Sequence, residues 1–379
     1  MQNKITVSVF SLSHLVVDCA CFFVLMGAFF TDVSDLQLIA LGFLLYNAIA
    51  FALQLPLGYL VDALHNSKAP VSHGHFAALG CLLVLVGVIC PIVPWARMAF
   101  CALGNALFHI GGGIDSLVFA EGRYARSGIF ISFGAIGVAL GTFIGQAGIL
   151  PPWFVSLLLV FCALLILRFC LQPKHPYSTA FSEPSATIKA SEVVILLCFI
   201  TIIVRAAIGA YTPIPWKQAA AFFFILPALA VFAGKFAGGI LADRFGAKAV
   251  ATASLLVSAP LLAFGNSQIV VCCIGLFLFN MTTAVTLCVI VTHLPKNPGL
   301  SFGLTTLALF MGSALSFFWT MPEYLRVGMT LALVAVSALC IFLTTPEKRL
   351  KHTEQGTGEG LPTGEAKESL PASQKERKL

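Results

Sequence analysis

A chain of 379 residues that is 59% apolar and only 10% charged falls well short of the roughly 25% charge of an ordinary soluble domain, and its mean hydropathy is +0.95. That balance excludes a soluble enzyme or a nucleic-acid-binding module and predicts an all-α polytopic membrane protein. The formal charge of +6 then reads as lysine and arginine gathered on one side of a membrane rather than as the mark of an acidic partner.

Taken in order, twelve apolar runs have the length that crosses a hydrocarbon core as a helix, about 17 to 25 residues. The first six are Thr6 to Phe30, Leu36 to Leu60, Gly74 to Cys90, Pro94 to Ser116, Arg126 to Ala147 and Trp153 to Leu171. A polar stretch rich in Pro and Ser follows from Gln172 to Ala190, and reads as a linker between two six-helix halves, residues 1–171 and 191–345. The second six are Ser191 to Tyr211, Ala219 to Ala242, Ala249 to Phe264, Ile269 to Thr292, Leu300 to Met321 and Val327 to Thr344. From Pro346 to Leu379 the chain is charged, Gly-rich and without aromatics, the composition of a disordered tail.

A cytoplasmic N-terminus places Lys4, Lys68, Arg123, Arg126, Arg168, Lys174, Lys189, Arg244, Lys248 and Lys296 on the inner side, against Lys217 and Arg326 outside and Arg97 just within an outer end. The asymmetry predicts that both termini are cytoplasmic. All 12 cysteines sit in or beside apolar runs. Their spacings suggest neither a metal site nor a disulfide framework, so they read as small buried hydrophobes. The first run is too long for a cleaved signal peptide and is expected to remain as a span.

The most informative stretch is Gly239-Ile-Leu-Ala-Asp243-Arg244-Phe-Gly246-Ala-Lys248, between two apolar runs. A glycine lets helix ends approach closely, the carboxylate can cap or pair across the gap, and the cations anchor the loop in an anionic leaflet. In the first half Gly58-Tyr-Leu-Val-Asp62 occupies the corresponding place, followed by Ala63, Leu64, His65, Asn66, Ser67 and Lys68 instead of the basic arm. The second stretch resembles the loop signature of the major facilitator superfamily, Gly-x-x-x-Asp-(Arg/Lys)-x-Gly-x-(Arg/Lys), which that family carries once in each half. The resemblance spans roughly Thr6 to Thr344 and implies two six-helix bundles, a site near the membrane midplane and alternating access. The loops at Asp62 and Asp243 would be latches of unequal strength, since only the second has kept its cations.

Charged groups inside a bilayer ask for a reason, being roughly 2.5–3.5 kcal/mol unfavourable on insertion scales. His14 and Asp18 share a helix face in the first span and read either as a proton-binding pair or as a structural hydrogen-bonding cluster. Arg205, in the seventh span, reads as a ligand for an anionic substrate, as the buried partner of Asp18, or as structural. Lys235 lies about 12 Å inside the end marked by Asp243, at ~1.5 Å per residue, where it either snorkels outward or faces a cavity. Arg97 and Asp115 lie near opposite ends of the fourth span. The superfamily resemblance links an arginine such as Arg97 to proton coupling; Asp115 reads as a site residue of the same span or as no more than an interfacial one. In the fifth span Gly134, Gly137, Gly141 and Gly145 suit close helix packing or a hinge. In the tenth, Asn280, Thr282, Thr283 and Thr286 can line a cavity or bond to backbone.

Leu107-Phe108-His109, followed by Gly111, Gly112 and Gly113, resembles the Phe-His stretch of fosmidomycin-resistance-type exporters within the superfamily, as do His14, Asp18 and Arg205. Those exporters continue with Pro-Glu after the histidine, where this chain has Ile110 and Gly111. The likeness implies efflux and places His109 beside a substrate. Together these features predict a monomeric secondary transporter in a cell (inner) membrane, in contact with lipid. It would carry a small organic anion or zwitterion coupled to a proton, with no cofactor, metal or enzymatic role. The alternatives are an uncoupled facilitator, or a receptor or scaffold that has kept the fold and lost transport. Pairing of sodium rather than protons with the solute stays open, as does direction.

Overall fold

The structure is a computed structural model that describes residues 2–65, 67, 71–91, 93–171, 177, 190–219 and 221–347. Among these the first half forms α1 (Gln2–Asp32), α2 (Leu36–His65), α3 (His73–Ile89), α4 (Pro94–Val118), α5 (Tyr124–Ala147) and α6 (Pro152–Phe169). The second forms α7 (Ser191–Tyr211), α8 (Ala221–Phe245), α9 (Ala247–Phe264), α10 (Ile269–His293), α11 (Pro298–Phe318) and α12 (Glu323–Thr344). Ten of these helices are long and apolar enough to cross a membrane. The other two are α3, apolar but of 17 residues, and α4, of 25 residues and carrying Arg97, Asn105, His109 and Asp115. Lys68, Lys174, Lys189, the linker apart from Tyr177 and Ala190, and the tail beyond Glu347 lie outside the described residues.

Two apolar cores hold the helices together. One gathers Phe10, Phe29, Tyr46, Phe108, Phe130 and Ile166 from α1 to α6, and the other Val194, Ile202, Leu255, Leu276, Val334 and Ile341 from α7 to α12. Exposed large apolar side chains such as Trp153, Leu157, Phe161 and Leu164 on α6 would be a liability in water and suit a helix facing lipid. Few core residues cross between the halves: Leu287, Val291 and Phe302 join the first core, and Tyr124 the second.

Pairing of α2 with α11 and of α5 with α8 joins the halves, and glycines set how closely. A Cβ on Gly58 would lie 2.1 Å from the carbonyl oxygen of Gly299, and one on Gly239 would lie 2.6 Å from that of Tyr124. Either substitution therefore pushes backbone against backbone across the interface.

Each signature carboxylate completes the same joint. Asp62 accepts hydrogen bonds from the backbone N–H groups of Gly299 (3.0 Å) and Leu300 (2.8 Å) at the start of α11. Asp243 accepts from Tyr124 (2.9 Å) and Ala125 (3.0 Å) at the start of α5. The first N–H groups of a helix lack partners within it and carry the positive end of its dipole. In both joints a carboxylate from the opposite half supplies the missing acceptor.

Both carboxylates accept the same number of backbone bonds, and Lys248 takes no part in them. Its ammonium lies 3.6 Å from Glu347 and over the ring of Phe342, within its own half and mostly buried, rather than reaching out to a lipid surface.

Candidate functional site

The densest buried polar group sits where α1, α4 and α5 meet. Close packing of α5 on α1 follows from its glycine row: Cβ atoms at Gly137, Gly141 and Gly145 would strike the carbonyls of Leu15, Cys19 and Phe23. Gly134 differs, because a Cβ there would meet side-chain atoms instead, His14 Nε2 at 2.4 Å and Asp18 Oδ2 at 2.5 Å. The missing side chain leaves room directly over the polar atoms of the first helix.

Helical spacing brings His14 and Asp18 onto one face, with Nε2 of the histidine 3.2 Å from Oδ2 of the carboxylate. From α4, Asn105 donates through its amide to Asp18 Oδ1 at 2.7 Å. One turn later His109 places its Nε2 only 2.8 Å from His14 Nε2 and 3.8 Å from Asp18 Oδ1. The other nitrogen of each ring meets a backbone carbonyl: His14 Nδ1 lies 2.9 Å from Phe130 O, and His109 Nδ1 lies 2.9 Å from Asn105 O. His14, Asp18, Asn105 and His109 are all buried.

The two imidazole nitrogens and the carboxylate lie within 4.8 Å of one another, a set of ligand types that suits a cation. Their spacing selects among cations. A zinc-sized ion with bonds of about 2.0–2.1 Å in tetrahedral array would hold two nitrogens about 3.3 Å apart. The observed 2.8 Å is the length of a hydrogen bond, so the pair fits a proton as it stands.

Across from this group, the second half contributes two cations. Arg205 on α7 is buried, donates through Nη2 to the hydroxyl of Thr283 at 2.8 Å and lies over the ring of Phe279 at 5.5 Å. Its Nε has no partner among the described residues. Thr283 opens the helical segment after the short break in α10, and its hydroxyl donates to Asn280 O at 2.9 Å while accepting from the guanidinium. Lys235 on α8 is half-buried and within electrostatic reach of Asp18, His109 and Arg205. It therefore faces the interior instead of snorkelling outward.

Other interior polar residues have partners of their own. Arg205 forms no ion pair with Asp18 among the described residues. Asn280 turns its amide onto the carbonyl of Leu276, satisfying backbone within its own helix. Arg97 donates to the carbonyls of Gly87 (2.9 Å) and Val88 (3.0 Å) and so caps the C-terminal end of α3, about three helical turns before His109 on α4. Asp115 is buried and lies 2.6 Å from His73 Nδ1. Tyr177, from the linker, donates its hydroxyl to the other nitrogen of His73 at 2.7 Å and stacks on His65 at 4.0 Å. Burial, then the charges of Asp62 and Asp115, push the Tyr177 phenol well above its ordinary range, so it stays a donor.

Sequence reasoning missed Asn105, His73 and the N-terminal turns of α5 and α11. Asn105 carries a readable signal, four residues before His109 on one helix face. The capped turns carry none, because the groups that matter there are backbone N–H.

The sequence matches no protein-family model and no curated protein. Its fold, however, resembles solved structures. A variant of the Escherichia coli fucose:proton symporter FucP superposes with a TM-score of 0.65 at 15% identity, over 90% of this chain and 98% of that one. The chain has the major facilitator fold. A second FucP structure, of a major facilitator superfamily transporter in the outward conformation, gives 0.63 at 14% identity over 89% and 97% of the two chains. The human organic anion transporter MFSD10 gives 0.57 at 15% identity over 90% and 98%. At these identities the likeness is one of architecture, and the major facilitator fold of this chain carries its own set of interior charges.

Proposed function

We propose that this major facilitator protein is a secondary transporter that carries a small organic anion or zwitterion across a cell membrane by alternating access, coupled to protons. The reading takes all of α1 to α12 as membrane crossings with both termini cytoplasmic, and the protein as a monomer in lipid. The observation that carries it is the division of buried charge: Asp18, His14 and His109 belong to the first half, Arg205 and Lys235 to the second. A substrate held between the halves would meet a proton-binding group on one side and two cations on the other. The unpartnered Nε of Arg205 leaves a buried donor for a carboxylate. The neighbours include a proton symporter and an organic anion transporter by name, which supports the class and leaves the solute open.

The test is the thermal midpoint of the purified protein with lactate, succinate, glutamate, fucose or choline, each at an acidic and an alkaline pH. A ligand that binds only the folded state raises the midpoint. A carboxylate is expected to stabilise the wild type but not Arg205→Ala, with a pH dependence absent from Asp18→Asn. Stabilisation by choline alone would overturn the charge argument. A pH-independent carboxylate effect would favour the uncoupled facilitator, and no effect from any probe would favour the non-transporting scaffold.

A further inference from the structure

The histidine pair carries a proton count that its backbone contacts fix. A carbonyl oxygen can only accept, so the ring nitrogens that face Phe130 O and Asn105 O must both be protonated: Nδ1 of His14 and Nδ1 of His109 are N–H donors. In a neutral imidazole the remaining nitrogen then bears a bare lone pair. Two such lone pairs would face each other across the 2.8 Å between His14 Nε2 and His109 Nε2, which is repulsive. One added proton turns the contact into an N–H···N hydrogen bond. A proton on Asp18 does not do this, because it would sit on Oδ2, 3.2 Å from His14 Nε2, and leave the nitrogen pair unbridged. Asn105 meanwhile donates to Asp18 Oδ1 at 2.7 Å, a contact that suits an ionised carboxylate.

We propose that His14 and His109 share one proton between their Nε2 atoms with Asp18 as its ionised counter-ion, and that this proton and an anionic substrate bind together because both act through Lys235. The loaded trio is neutral as a unit, one imidazolium against one carboxylate, which is what burial favours. When the proton leaves for water, Asp18 stays behind as an uncompensated anion. Among the described residues, the cation within electrostatic reach of both Asp18 and His109 is Lys235, on a flexible stem. Lys235 then serves the carboxylate and is withdrawn from a substrate. Conversely, an anion that neutralises Lys235 removes a positive charge facing the imidazolium and strengthens its hold on the proton. Each ligand thus promotes the other, and by linkage the effect is reciprocal. Proton and anion travel in the same direction.

Other ionisable groups within reach of Asp18 are Cys19 and Cys21 on α1 and Tyr46 on α2, together with Arg205 behind Lys235. Among the described residues, Lys235 and Arg205 are the charges that face the pair from the second half. Gly134 is the positioning residue, since any side chain there would occupy the space over His14 Nε2 and Asp18 Oδ2.

The inference rests on the transport reading only for the passage of substrate; the proton count stands without it. It is tested on the full-length protein in lipid nanodiscs with histidine labelled in nitrogen-15, following the imidazole nitrogens by NMR across pH and using His14→Gln and His109→Gln for assignment. The expected result is that both Nδ1 atoms are protonated throughout and that the two Nε2 atoms carry one proton between them at neutral pH. In Lys235→Met that proton should persist to a pH higher by on the order of one unit. An unprotonated Nδ1 on either ring, or two bare Nε2 atoms at neutral pH, would overturn the shared proton. An unmoved proton in Lys235→Met would overturn the linkage to the substrate. If these signals are as expected and the carboxylate panel still shows no stabilisation, the proton site is right and the transport reading is what fails.

Discussion

Asp62 and Asp243 each bind the first turn of a helix from the other half, yet their surroundings have little in common. Asp62 is fully buried, against Gly299, in a stretch whose following residues have lost the basic arm. Asp243 is half-buried, and Arg244 and Lys248 follow it. Both make a pair of backbone bonds of 2.8 to 3.0 Å. What the two joints share is the glycine that permits contact and the carboxylate that caps. Of the two cations that follow Asp243, Lys248 lies over Phe342 and beside Glu347, within its own half.

The largest effect should come from the glycine. A Cβ at position 58 falls 2.1 Å from Gly299 O, so Gly58→Val cannot be absorbed by a side-chain rotation. It should destabilise the closed joint by about 3 kcal/mol or more. In hydrogen-exchange measurements the amides of Gly299 and Leu300 should lose their protection. Retained protection would mean that the helices part elsewhere and that the glycine contact does not set the joint.

Removing the caps compares the two joints directly. Asp62→Ala leaves two buried N–H groups without an acceptor, a loss of about 2–3 kcal/mol, or roughly 30- to 150-fold faster exchange at those two amides. Asp243→Ala should be milder, about 1 kcal/mol, because water reaches a half-buried helix start. Equal effects would show that burial does not distinguish the joints; a larger effect at Asp243 would return weight to the basic arm. The smallest change is expected from Lys248→Met, which keeps the stem against Phe342 and removes only a pair with the exposed Glu347. It should alter stability by less than about 1 kcal/mol and leave exchange at Tyr124 and Ala125 unchanged.

Much of the candidate site was legible in the sequence because helices impose spacing. His14 and Asp18 fall on one face by their interval alone, and a carboxylate or guanidinium in an apolar run stands out against its neighbours. Lys235 was placed by depth but not by direction, since a lysine stem is long enough to point either way. The same holds for Asp115 and Arg97: spacing places each along its helix, while the partners, His73 and the carbonyls of Gly87 and Val88, lie on another helix.

Composition and periodicity by themselves determined that the chain is a bundle of membrane-length helices, where those helices begin and end to within a few residues, and which glycines and charges were out of place. These follow from local physics, the transfer of apolar side chains and the closure of backbone hydrogen bonds within each segment. Only the tertiary structure decided which helices meet, that Asp62 and Asp243 cap helices from the opposite half, and that His109 faces His14 across 2.8 Å. Those facts depend on contacts between segments distant in the chain and, in the caps, on backbone N–H groups that every sequence possesses, so no pattern of side chains could have announced them.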